Sequence, residues 1–197
     1  DDELTQYTEL SNTPLPSDDF WGCLGFCGTD NISYAGMLGT ARLTPETTPF
    51  MVDSVRYFLD DDSYCNAAIS HEVHVFVSTT EIPNSSMTLK ETISVPTSFI
   101  PGTGTWEFRL HLDRPFVMED GEHLFVAVQM NHNANGETMC LTTYYGANSP
   151  SSYLSIDGTQ PYSLPFNWRT LASKGYYQED IIITAGGFVS QSSPFWP

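Results

Sequence analysis

Apolar and polar residues alternate along most of this chain with a period of two, and no stretch keeps a helical period for three turns. The clearest run is Trp106-Glu107-Phe108-Arg109-Leu110-His111-Leu112. Trp106, Phe108, Leu110 and Leu112 fall on one side, and Glu107, Arg109 and His111 on the other. That is a half-buried strand with one wet face, as in an antiparallel sheet. The same pattern predicts strands over residues 34–43, 52–59, 67–78, 87–95, 123–130 and 138–145, a short one over 153–156, and a last one over 180–184. The 67–78 run is expected to bury Ile69, His71, Val73, Val75 and Val77. The 87–95 run is expected to put Met87, Leu89, Glu91, Ile93 and Val95 on one face.

Turn chemistry separates these runs. Asp120-Gly121, Asn135-Gly136 and Asp157-Gly158 are tight-turn pairs, and Pro101-Gly102-Thr103-Gly104 is a further break. About nine or ten strands without helical crossovers predict an all-β fold, an antiparallel β-sandwich of jelly-roll type. Residues 161–175 read as a long surface loop. Residues 21–197 are expected to form one sandwich domain, with residues 1–20 an extended N-terminal tail.

The 114–128 run sharpens this. Arg114-Pro115-Phe116-Val117-Met118 is a proline-led apolar strand; it turns at Gly121 and returns as the Val-rich Leu124-Phe125-Val126-Ala127-Val128. The run resembles a pattern of secreted bacterial jelly-roll modules, including adhesin-type and carbohydrate-binding ones. The resemblance implies secretion and the sandwich, and transfers no site residues.

Charge narrows the partners. Seven basic residues against 24 acidic ones give a net charge of −17, which repels nucleic acid and anionic membrane. Cations, neutral glycans and proteins with basic patches fit better. No run approaches the ~20 apolar residues of a membrane helix, so no membrane insertion is expected. A chain opening at Asp1 reads as a mature product whose leader has been removed.

Cys23, Cys27, Cys65 and Cys140 allow three pairings, with no CxxC pair or common zinc spacing. Cys23–Cys27 as a local clip and Cys65–Cys140 as a long staple are the favoured pairs; four free thiols are the alternative. Disulfides place the chain in an oxidising, extracellular or cell-surface setting.

Candidate chemistry is sparse. His71 and His74 are three apart on a strand, so they point to opposite faces, one as a half-buried packing residue and the other on the surface. There is no HExxH, no GxSxG elbow and no Ser-x-x-Lys arrangement. An enzyme is therefore not expected; a glycan-active hydrolase is the residual catalytic alternative. Asp60, Asp61 and Asp62 at a strand end are candidate calcium ligands, against the plainer reading of a solvated acidic turn. Trp21, Trp168 and Tyr162 fall outside the clean strands and are candidates for stacking on sugars. Asn31 and Asn84 head N-glycosylation triplets.

The N-terminal run has apolar Leu4, Tyr7 and Leu10, followed by the stiff spacer Thr13-Pro14-Leu15-Pro16. It reads as a strand able to leave its own domain and pair with the edge of the next copy. An edge strand of its own sheet is the competing reading. Phe195 and Trp196 are candidate contacts at the other tail. The function expected is thus a secreted structural subunit that self-assembles by donor-strand exchange into a filament, a homopolymer of copies of itself. The alternative is a carbohydrate-binding or adhesin module.

Overall fold

A computed structural model describes residues 4–13, 21–24, 37–61, 65–96, 104–131, 137–145, 151–155, 168–170 and 179–190. Thirteen strands make up the described elements: β1 (Leu4–Ser11), β2 (Trp21–Leu24), β3 (Met37–Leu43), β4 (Phe50–Asp61), β5 (His71–Ser78), β6 (Thr88–Val95), β7 (Gly104–Met118), β8 (His123–Met130), β9 (Cys140–Tyr145), β10 (Ser152–Ser155), β11 (Trp168–Thr170), β12 (Glu179–Ile181) and β13 (Ile183–Ser190). They form two antiparallel sheets packed as a β-sandwich.

The seven-stranded sheet is built around β4, with β7 on one edge and β13, then β1, on the other. The six-stranded sheet runs β11-β10-β3-β8-β5-β6. Taken together, β1-β13-β4-β7 faces β3-β8-β5-β6, and the chain passes between the two sheets in the double Greek-key order of a jelly roll. The segment between β8 and β13 adds β9 and β12 to the first sheet, and β10 and β11 to the edge of the second. Past Tyr57, β4 exchanges β13 for β9, which pairs at Leu59 and Asp60.

The inner faces meet as the alternation requires. Phe50, Val52, Val55, Tyr57 and Leu59 of β4 are fully buried against Val73 and Val75 of β5 and Leu124, Val126, Val128 and Met130 of β8. Trp106, Phe108 and Leu110 of β7 pack on this core half-buried, and Leu112 is buried. A smaller cluster on the outer face of the second sheet joins Leu38, Phe76, Phe125, Ala127 and Tyr153.

Two bulges correct the strand expectations. Opposite Asp53 of β4 the ladder jumps from Phe116 to His111, so the proline-led run is not a separate strand but the second half of β7. Pro115 sits in that bulge, where no ladder N–H is needed. The N–H groups of Asp113 and Arg114 donate instead to the Glu91 carboxylate at 3.0 and 3.4 Å. A second bulge lies between Val75 and Phe76 opposite Glu91 and Leu89. It flips the face of the residues before it, because side-chain direction has a period of two. Ile93 and Val95 therefore face the core, whereas Leu89 is exposed and Met87 packs on the outer cluster.

The turn at Asp120-Gly121 forms as expected, with Gly121 at φ 79° and the Glu122 N–H donating to the Glu119 carbonyl at 3.2 Å. Cys65 and Cys140 are bonded across a sequence separation of 75. Cys23 lies on β2 and Cys27 lies outside the described residues.

Candidate functional site

Two places on the sandwich combine accessible surface with side chains that can recognise something. The first is the β1 seam. Among the described residues, β1 is the last strand of its sheet and pairs with β13 of its own chain, from Leu4 opposite Ser190 to Ser11 opposite Thr184. The run expected to be donated to a neighbour therefore lies on its own body in this single chain, and the slot it occupies is specifically furnished. Leu10 packs on the core. Tyr7, 47% exposed, lies on the outer face with its hydroxyl 3.3 Å from Ser54 Oγ and its ring edge-on to Phe188 at 5.3 Å. Gly186 makes this possible: a Cβ there would collide with the Tyr7 hydroxyl.

Glu9 completes the latch. Its carboxylate pairs with Arg56 at 2.6 Å and accepts from Thr184 Oγ1 at 2.8 Å. Arg56 Nε donates to the same Thr184 hydroxyl at 3.1 Å, and the guanidinium lies over Phe58. At the end of the strand, the Asn12 carboxamide donates to Ser151 Oγ and to the Ile181 carbonyl at 3.2 and 3.3 Å. Beside β1 runs a groove of about 430 Å³, whose lining includes Thr8, Leu10, Thr44, Phe50 and Val189.

The second place is a shallow cup of about 730 Å³ at one end of the six-stranded sheet. Glu72 of β5 and Ser94 of β6 are register partners on the outer face. Gln129 follows Val128, the partner of Val73, and so joins the same row. Ser70 and Asn131 close the end, with the Asn131 carboxamide donating to the Ser70 carbonyl at 2.8 Å. Pro96 supplies an apolar wall.

Beneath the cup lies His71. Its Nδ1–H donates to the Ile69 carbonyl at 2.8 Å, so Nε2 is the acceptor for the Tyr57 hydroxyl at 2.6 Å. That arrangement suits the neutral ring. Burial pushes its pKa down, partly opposed by the Ile69 bond, and pushes the Tyr57 phenol up. His74 also differs from expectation. It does point opposite to His71, but it is fully buried rather than on the surface. Its Nδ1 lies 3.1 Å from Thr92 Oγ1 and its Nε2 3.7 Å from Glu72, and burial lowers its pKa to about 4.

The remaining candidates are dispersed. Asp60 and Asp61 are successive on β4 and so diverge. Asp60 accepts from Thr105 and Thr142 hydroxyls at 2.8 and 3.0 Å, and Asp61 from the Ala67 N–H at 3.4 Å. Asp62 lies outside the described residues. Among the described residues, no three His, Cys, Asp or Glu side chains converge on a common cation position. Trp21 and Trp168 sit on β2 and β11. Tyr162, Asn31, Phe195 and Trp196 lie outside the described residues. Asn84 donates to Thr80 Oγ1 at 2.9 Å and accepts from both Ser86 N and Ser86 Oγ, which ties its carboxamide into the turn.

Sequence reasoning missed the Arg56 latch and the cup. The first had a signal: Arg56 is one of only seven bases and interrupts the apolar run Val55 to Leu59. The second had none, because its row is set by how three strands pair, which the runs themselves do not reveal.

No protein-family model matches the chain, and no curated protein matches it. Among solved structures it is similar to the crystal structure of the cysteine protease and lectin-like domains of Cwp84, a surface layer associated protein of Clostridium difficile. The TM-score is 0.54 at 15% identity, over 88% of this chain and 37% of that one. The match thus spans little more than a third of that chain, and the likeness is one of fold.

Proposed function

We propose that this chain is an extracellular, cell-surface binding module that recognises carbohydrate and performs no chemistry of its own. The observation that carries the reading is the cup. Hydroxyls from Ser70 and Ser94, carboxamides from Gln129 and Asn131 and one carboxylate from Glu72 surround a space beside the apolar wall of Pro96. Sugars ask for that mixture: polar groups for hydroxyls and an apolar surface for the C–H face of the ring, at a volume suited to a small ligand. The disulfide supports an oxidising compartment. The similar fold in a protein described as surface layer associated, with a lectin-like domain, supports the setting and the ligand class.

A glycan panel tests it. The full chain is expected to retain at least one neutral or weakly charged oligosaccharide, with a loss of about tenfold or more in the Gln129→Ala variant. Failure to bind any member of a broad panel contradicts the reading. Binding lost in Trp168→Ala but intact in Gln129→Ala moves the site to the aromatic positions.

A second reading is self-assembly through β1, favoured by its place at the sheet edge. Exchange of β1 between copies re-forms the same Tyr7, Glu9 and Leu10 contacts in the next chain and need not close into a ring. Concentrated wild-type protein should then form fibres visible by negative stain, and a variant lacking residues 1–13 should not. A strictly monomeric wild type at high concentration removes this reading.

A further inference from the structure

Among the described residues, the cup carries a charge that nothing in it balances. None of its described lining residues is Lys or Arg, and Glu72 is the one acid among them. The Glu72 side chain is 40% exposed, with His74 Nε2 at 3.7 Å. Burial keeps His74 neutral near pH 7, so that ring does not offset the carboxylate. The rest of the molecule adds a field of the same sign, with a net charge of −17. Uronates, sialates and phosphorylated sugars are repelled by such a site. A neutral sugar gains only ordinary hydrogen bonds there, whereas an ammonium group gains a charge-assisted one.

Resting on the carbohydrate reading above, we propose that the cup selects a sugar with a free amine, a non-acetylated 2-amino-hexose unit. The Glu72 carboxylate accepts from the sugar's ammonium group. Gln129 and Ser94, on either side of Glu72 in the same row, engage neighbouring hydroxyls, and Pro96 packs against the ring's C–H face. An N-acetyl group in place of the amine removes the positive charge that the carboxylate recognises.

Calorimetric titration of the full chain with a glucosamine disaccharide, its N-acetylated counterpart and a uronate disaccharide tests this. Because the whole chain attracts cations, the variant Glu72→Gln is compared with Asp120→Asn. The latter removes one charge from the turn at the opposite end of β8 and keeps a residue suited to that turn. The amine sugar is expected to bind about tenfold or more tighter than the acetylated one. Glu72→Gln should abolish that preference while retaining the acetylated sugar, and Asp120→Asn should keep it. Equal affinity for the two sugars, or equal effects of the two variants, overturns the proposal. Gln129-dependent binding without preference for the amine leaves the carbohydrate reading standing and removes this one. No binding of any sugar removes both.

Discussion

At the scale of single residues, the buried histidines are the most consequential groups. Tyr57 and His71 satisfy one another inside an apolar core, with Tyr57 also stacked on Phe108 at 5.3 Å. Replacing Tyr57 by Phe keeps the packing but leaves Nε2 of His71 without its donor. The expected cost is about 1–3 kcal/mol, measured as a lower urea midpoint. A midpoint equal to wild type would sink the assignment. His74 makes stability depend on pH. Its ring titrates near the ordinary 6.5 in the unfolded chain and at about 4 in the folded one. Above pH 6.5 the ring is neutral in both states and contributes nothing. Between about 6.5 and 4 the unfolded chain takes up a proton that the folded chain refuses, so stability falls as pH falls, by at most about 3 kcal/mol. His71, shifted in the same direction, adds to the loss. Urea unfolding across that window should show the decline, and His74→Gln should lessen it. A wild-type midpoint that does not move through the window contradicts the account. The opposite facing of the two histidines was legible from their spacing, but not their joint burial, because spacing says nothing of what covers an outer face.

At the scale of elements, the β1 slot depends on two adjacent glycines with different tolerances. β13 has its register shift between Gly186 and Gly187. A Cβ on Gly187 would run into the Met51 carbonyl, which is backbone and cannot yield without moving β4. A Cβ on Gly186 would meet the free end of Tyr7 and, at 2.6 Å, Ser54 Oγ, both of which can swing away. Gly187→Ala is therefore expected to cost about 2 kcal/mol or more in global stability. Gly186→Ala should cost less but displace Tyr7, and so speed hydrogen exchange of the 4–11 amides selectively. Unchanged exchange there, or a larger global loss than in Gly187→Ala, would refute this ordering. Elements with strict alternation, such as β8 and the first half of β7, were readable from sequence. β13 was expected to stop at Thr184, because Gly186 and Gly187 hide the alternation that Phe188 and Val189 resume. β6 departs from the expected facing because a bulge leaves no composition signal and reverses the facing of every residue beyond it. The spacer after Thr13 suggested a donated strand; the contacts of Tyr7, Glu9 and Leu10 that hold β1 on its own sheet come from residues more than 40 positions away and are invisible in the run itself.

At the scale of the whole molecule, a jelly roll is a fold of distant contacts, and its sheets must be assembled from segments separated by most of the chain. β1 meets β13 and β3 meets β8, so loop closure is costly and slow to recover. The two-sheet class followed from period-two patterning and turn residues, but the sheet order did not, since alternation fixes which face is buried and not which neighbour is chosen. The Cys65–Cys140 staple bears directly on this cost. It joins the segment after β4 to the start of β9, where β4 exchanges β13 for β9, and it encloses all of β5, β6, β7 and β8. With 75 positions between its ends, the bond removes about 4 kcal/mol of loop freedom from the unfolded chain in the entropy model. The double variant Cys65→Ser, Cys140→Ser is therefore expected to lose stability of that order by urea unfolding, with a native spectrum retained at low denaturant. Reduced wild-type protein should match it. A loss below about 1 kcal/mol would mean that the unfolded chain already holds these ends together. Equal loss on reducing a variant that lacks only this pair would instead assign the effect to other cysteines.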